Sequence, residues 1–170
     1  MYGVKYESFL NEDSNFDPKS PYAASKVLCH NLSKIYRESY DMFAVNGILF
    51  NHESPYRGET FVTRKITRAV GRIACVIQSK LTLGNLEAKR DWGYAPEYVE
   101  AMWLMLQANK PDDYVVGTGK VYSVKDFTKT AFEVLDLNYE NYTKVNKKFF
   151  RPSEVELLKS NPKKIYKRLG

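Results

Sequence analysis

What this chain lacks narrows it first. No apolar run comes near the roughly 20 residues that a membrane span needs, and the opening "MYGVKYESFL" has no basic-then-apolar leader pattern. A cytoplasmic protein with no membrane partner is the expectation. Cysteine is represented by Cys29 and Cys75 alone and histidine by His30 and His52, with no CxxC. That set argues against a metal centre and for reduced thiols. None of the nine glycines forms a GxxGxxG loop of the kind that cradles a dinucleotide pyrophosphate; "GTG" at 117–119 stands far downstream. Repeats and low-complexity segments are also missing. The net charge of +6 is spread among acids along helices rather than gathered in a block. With no helix-turn-helix, RNA-recognition or zinc motif, it points to a solvated surface or phosphate-bearing ligands and away from nucleic acid.

What is present alternates between strand and helix patterns. The turn-rich residues 1–19 lead to Ser20 and Pro21, a cap and first-turn pair. Ala24, Leu28, Leu32, Ile35 and Tyr36 then recur at helical spacing to about Tyr40. "FAVNGILF", 43–50, is almost wholly apolar and reads as a strand covered on both faces, as in parallel sheets. After the loop "NHESPYRGE", Val62, Ile66, Ala69, Val70 and Ile73 mark a second helix over 61–79. "LTLGN" reads as a short strand, 96–107 as a helix and "DYVVGTG" as a buried strand. Ser123 caps a further helix with Asp126 at its third position. "YTKVN", the loop "FFRPSEVE" and a basic helix closed by Gly170 complete an α/β chain.

Chemistry enters through "SPYAASK". Tyr22 and Lys26 are four apart on one helix face, and an ammonium beside a phenol favours the phenolate, equipping Tyr22 for general acid–base work. A Tyr and Lys at that spacing are also common as plain surface residues. The loop after the apolar strand gives the pair more weight, because ligands in open α/β sheets lie beyond the carboxyl ends of strands. Asn51 could donate to a phosphate or sugar oxygen there. His52 could serve a ligand or pack as an ordinary loop residue, and Arg57 could meet a phosphate or an acid. Lys65 falls in the first turns of a helix whose N-terminus favours anions.

Together, "SPYAASK", "FAVNGILFNHESPYRGETFVTRKI", "LGNLEAKRDWGYAPEYVEAMWLMLQ" and "FFRPSEVELL" resemble the GDP-mannose 4,6-dehydratase family, extended members of the short-chain dehydrogenase/reductase superfamily. The resemblance runs over essentially the whole chain. It implies an incomplete Rossmann-like parallel sheet, its late strands and helices, with a small C-terminal sugar-nucleotide-binding domain. Residues 1–60 would carry the later part of the NADP-binding domain, and residues 61–170 mainly the GDP-sugar region. The implied reaction is a lyase's: NADP oxidises C4 of GDP-mannose, water leaves across C5 and C6, and the hydride returns to C6. GDP-4-keto-6-deoxymannose results, on the way to GDP-fucose and related deoxysugars. By the same resemblance Tyr22 takes the C4 hydroxyl proton, and Lys26 binds the nicotinamide ribose. His52 and Arg57 touch NADP. Asn51, Val62, Lys65 and Arg90 line the nucleotide diphosphate and base, and Arg151 and Glu154 hold its ribose and base. The family also forms homo-oligomers.

This chain departs from the pattern where the family opens. The glycine-rich loop is absent, and Met1-Tyr2-Gly3 aligns with the tail of a T/S-x-E-x-Y-G motif whose glutamate would precede Met1. The end at Gly170 reads as short of the family's. Tyr94 stands where histidine is common and Tyr56 where arginine is. The expectation is a fragment, marginally stable and inactive alone. The alternatives are a noncatalytic remnant or a related sugar-nucleotide dehydratase or epimerase.

Overall fold

Ser20 begins the first regular element: its hydroxyl accepts the Ala23 amide at 3.1 Å, Pro21 fills the first turn, and helix α1 runs Pro21–Tyr40. The computed structural model describes residues 1–3, 9–150 and 157–170. After α1 come strands β1 (Asn46–Leu49) and β2 (Asn51–Glu53), helix α2 (Val62–Ala74), and strands β3 (Leu81–Leu83), β4 (Lys89–Arg90) and β5 (Trp92–Tyr94). Helix α3 (Ala95–Leu106), strands β6 (Asp113–Val116) and β7 (Tyr122–Ser123) and helix α4 (Val124–Glu133) follow. The chain closes with β8 (Thr143–Val145), β9 (Leu157–Leu158) and α5 (Lys163–Leu169), the last capped by Gly170 at φ 83°. None of the described helices is long and apolar enough to cross a membrane.

Parallel pairing dominates, as the alternation of strand and helix requires. β1 pairs with β6, β2 with β5, β3 with β8 and β4 with β9, all parallel; β7 joins β4 antiparallel. The apolar stretch 43–50 does not form one strand. Residues 43–45 stay outside β1, and the ladder changes partner at Phe50. There the Phe50 amide still donates to the Val116 carbonyl at 2.9 Å, while Asn51 has moved over to Trp92. Nor is this strand covered on both faces, since only Ile48 of β1 is buried and Gly47 is exposed. The second helix, expected over 61–79, ends at Ala74. Val76 turns left-handed at φ 59°, and the amides of Ile77 and Gln78 fold back onto the Arg72 carbonyl. Ser123 behaves as its sequence suggests, in a reciprocal capping box with Asp126.

Three apolar clusters hold these layers. Ile66, Ala69, Val70 and Ile73 of α2 meet Leu81, Leu83 and Phe132; Tyr2, Leu10, Ile48, Phe50 and Val115 form a second group. Tyr98, Met105, Tyr114, Val116 and Ile165 make the third. Polar anchors join them. Asp113 accepts from Arg37 Nη2 and from Asn46 Nδ2, each at 2.9 Å, and lies 3.6 Å from His30 Nε2. That cluster fastens α1 to β1 and β6 through His30, the one residue of α1 that is buried.

Asp91, between β4 and β5, is wholly buried and accepts five hydrogen bonds from described residues. They come from the amide and hydroxyl of Thr118 (2.9 and 2.7 Å), the Gly119 amide (2.9 Å), and the amide and hydroxyl of Ser160 (3.2 and 2.5 Å). Gly117 permits the approach: a Cβ there would lie 2.4 Å from Ser160 Oγ.

Removing that acceptor strands buried donors on two segments. Asp91→Ala is expected to cost on the order of 3 kcal/mol or more in urea unfolding, with the midpoint lowered. A loss below about 1 kcal/mol, the size of an ordinary surface change, would contradict the role given to this carboxylate. His30 supplies a pH dependence. Burial, partly offset by Asp113, holds its imidazole pKa below the usual value. The unfolded chain therefore binds the proton at a higher pH than the folded one, and stability falls as pH drops through about 6.5. Thermal unfolding across that range should show the decline, and His30→Gln should flatten it.

Candidate active site

Strand β1, the start of β2, residues 1–3 and the first three turns of α1 line a cleft of about 450 Å³. Tyr22, Lys26, Asn51 and His52 all line it, with Ile48, Phe50 and Leu158 as its apolar wall. Four of the residues singled out in the sequence thus meet in one place, at the strand end where an open α/β sheet offers its ligand site. The Tyr22 side chain stands in the cleft mouth, 72% exposed, and the Lys26 ammonium lies 5.3 Å from its ring centroid.

His52 is held from two directions. Its Nδ1 lies 2.8 Å from the Phe50 carbonyl, which only accepts, so Nδ1 carries the proton and Nε2 is the nitrogen left for a ligand. Its ring packs on Tyr98 with centroids 4.8 Å apart and planes at 30°. Burial, with Asp91 and Glu97 nearby, raises the Tyr98 pKa and keeps the phenol neutral.

The remaining sequence candidates lie elsewhere. Arg57 turns back along its own loop: its Nε is 3.2 Å from Glu53 Oε2, and its guanidinium carbon lies 3.6 Å from the Phe61 ring centroid. Thr63 donates to the same Glu53 carboxylate at 2.7 Å. Val62 opens α2 and packs on the first core cluster. Lys65 lines a separate groove of about 320 Å³ with Arg68, Arg72, Thr82 and Phe149. It donates to the Thr82 carbonyl at 2.7 Å, and its ammonium sits 4.9 Å from the Phe149 ring centroid. Arg90 is half-buried on β4, beside Tyr122 and Leu158 in the ladder, and donates to the Lys89 carbonyl at 2.8 Å. Arg151 and Glu154 lie outside the described residues.

Two contributors were not singled out from sequence. His30 lines the cleft and follows Lys26 by four residues, so the i, i+4, i+8 series from Tyr22 was the available signal. Tyr98 carried no such mark, being one of two aromatics in an apolar helix. Among the described residues no group of three or more His, Cys, Asp or Glu side chains could hold a metal ion, and both cysteines are free thiols.

The cleft offers a ligand one side-chain cation, Lys26, two histidines and two asparagines as polar groups, and an apolar wall for a ring.

Known proteins bear on the arrangement. A family model for GDP-mannose 4,6 dehydratase matches residues 1–170. GDP-mannose 4,6 dehydratase 1 of Arabidopsis thaliana is 55% identical over 160 residues, covering 94% of this chain and 44% of that protein. The GDP-mannose 4,6 dehydratase of Dictyostelium discoideum is 48% identical over 186 aligned positions, covering 99% and 52%. Among solved structures, RMD from Pseudomonas aeruginosa complexed with NADPH superimposes with a TM-score of 0.88 at 18% identity, over 99% of this chain and 56% of that one, a likeness of fold. The chain spans about half the length of the curated relatives it matches. With the α/β cleft in place and a family match from the first residue to the last, the chain belongs to the GDP-mannose 4,6-dehydratase family.

Proposed function

We propose that this chain supplies the tyrosine–lysine pair and much of the nucleotide-sugar site of a GDP-mannose 4,6-dehydratase acting with NADP. The meeting of Tyr22, Lys26, Asn51 and His52 in one cleft, within a chain of this family, carries the reading. When bound, the nicotinamide would take a hydride from C4 of the sugar and later return it to C6. Tyr22 accepts the C4 hydroxyl proton. Lys26, whose ammonium lies 5.3 Å from the Tyr22 ring centroid, bonds the nicotinamide ribose. His52 offers Nε2 to the cofactor, and Asn51 orients the sugar-phosphate side.

Arg57 fits a cofactor contact less directly, because Glu53 and Phe61 already engage its guanidinium; it would have to leave them to reach a phosphate. Lys65, Arg90 and Arg151 are the cations for the diphosphate, Glu154 and Arg151 hold the ribose and base, and Val62, the first residue of α2, lines the nucleotide with them. Residues 1–60 then serve the cofactor and 61–170 mainly the GDP-sugar. The 170 residues contain no GxxGxxG loop. The chain by itself is therefore a nucleotide binder without turnover, and its function is exercised with the missing elements supplied.

Calorimetric titration of the 170-residue chain should show GDP binding more tightly than UDP. Lys65→Met, which keeps an unbranched side chain one atom shorter and removes the charge, should weaken GDP by about tenfold, the worth of one charge-assisted hydrogen bond. Equal affinities for GDP and UDP, or an unaffected Lys65→Met, would sink the substrate assignment. In the same preparations GDP-mannose with NADP should give no 4-keto product; steady turnover by the chain alone would show the expected inactivity to be wrong.

A further inference from the structure

β2 and β5 run side by side with His52 directly opposite Gly93. A Cβ at Gly93 would lie 2.4 Å from Tyr98 Cε2 and 2.8 Å from its hydroxyl, so the phenol ring occupies space that only glycine leaves open. In that space the Tyr98 ring faces the His52 imidazole, and its hydroxyl points to the Asn51 carbonyl at 3.4 Å. The hydrogen bond from Nδ1 to Phe50 fixes the rotation of the imidazole about its bond to the chain. The stacked ring fixes its plane. Tyr98 itself is 3% exposed and lines not this cleft but another cavity of about 630 Å³, together with Trp92, Leu104, Lys120 and Tyr166. Anything it does for a ligand in the Tyr22–Lys26 cleft must pass through His52 and Asn51.

We propose that Tyr98 is a positioning residue: seated over Gly93, it holds the His52 ring in the plane that presents Nε2 to the cofactor. This rests on the reading of His52 as a cofactor contact. A tyrosine that merely filled the core would be replaceable by any apolar side chain of similar bulk. A positioning ring would not, and phenylalanine would serve where leucine would fail.

Histidine NMR separates the two cases, because the chain has only His30 and His52. In the wild-type chain, nuclear Overhauser contacts between the Tyr98 and His52 rings are expected, and their absence would overturn the proposal without any variant. In Tyr98→Leu the His52 ring signals should shift while those of His30 stay; in Tyr98→Phe both should stay. NADPH affinity should fall roughly threefold to tenfold in Tyr98→Leu, the worth of one aromatic pair, and hold in Tyr98→Phe. Unmoved His52 signals in Tyr98→Leu, or the same shift in Tyr98→Phe, would overturn the role. If Tyr98→Leu unfolds the chain, His30 moves as well, and the wild-type ring contacts with Tyr98→Phe decide. A wild-type chain that shows the ring contacts but binds no NADPH supports the positioning geometry and sinks the cofactor reading of His52 instead.

Discussion

Asp91 places a carboxylate where water cannot reach it and satisfies it with donors from two distant segments. A buried charge costs several kcal/mol unless it is fully hydrogen-bonded. Those bonds therefore constrain whatever carries them: the 117–119 turn after β6, and Ser160 between β9 and α5. Because Asp91 separates β4 from β5, the same carboxylate sets where Arg90 stands on one side and Trp92 on the other. β5 in turn is the partner of β2, and β2 carries Asn51 and His52. One strand pairing thus separates the cleft from the group that fixes its geometry.

Helical elements were legible because their signals are local. Ser20 with Pro21, and Ser123 with Asp126, announce helix starts through bonds made within three residues. The tyrosine–lysine spacing likewise needs only one helix, and α1 provided it. Short strands were another matter. "KRDWGY" yields β4 and β5, each two or three residues long, whose existence depends on partners from β2, β7 and β9 far along the chain. No periodicity over so few residues could announce them. The split of 43–50 is of the same kind, since the change of partner at Phe50 is decided by β5 and β6 rather than by the apolar run itself. Asp91 read as one residue of a motif, and its burial became visible only with Thr118 and Ser160 beside it.

At the site, some of the residues singled out in sequence share one cleft and others are engaged elsewhere. Asn51 and His52 lie in the cleft as a post-strand loop should put them, now as a strand of their own. Arg57 lay in the same quoted stretch, yet Glu53, four residues before it, and Phe61, four after, take up its charge. Lys65 shows the opposite: a lysine near a helix start looks misplaced against the dipole, and a carbonyl and an aromatic face account for its position.

The change of partner at Phe50 also governs how this region can vary. Alternate residues of a strand face opposite sides, so inserting or deleting one residue between Ile48 and Glu53 would exchange the faces of everything beyond it. His52 would leave the position opposite Gly93, and Glu53 would leave Thr63 and Arg57. Substitution at single positions alters one contact, whereas a change in length rewrites all of them at once. For these six residues the count constrains the site more tightly than the composition does.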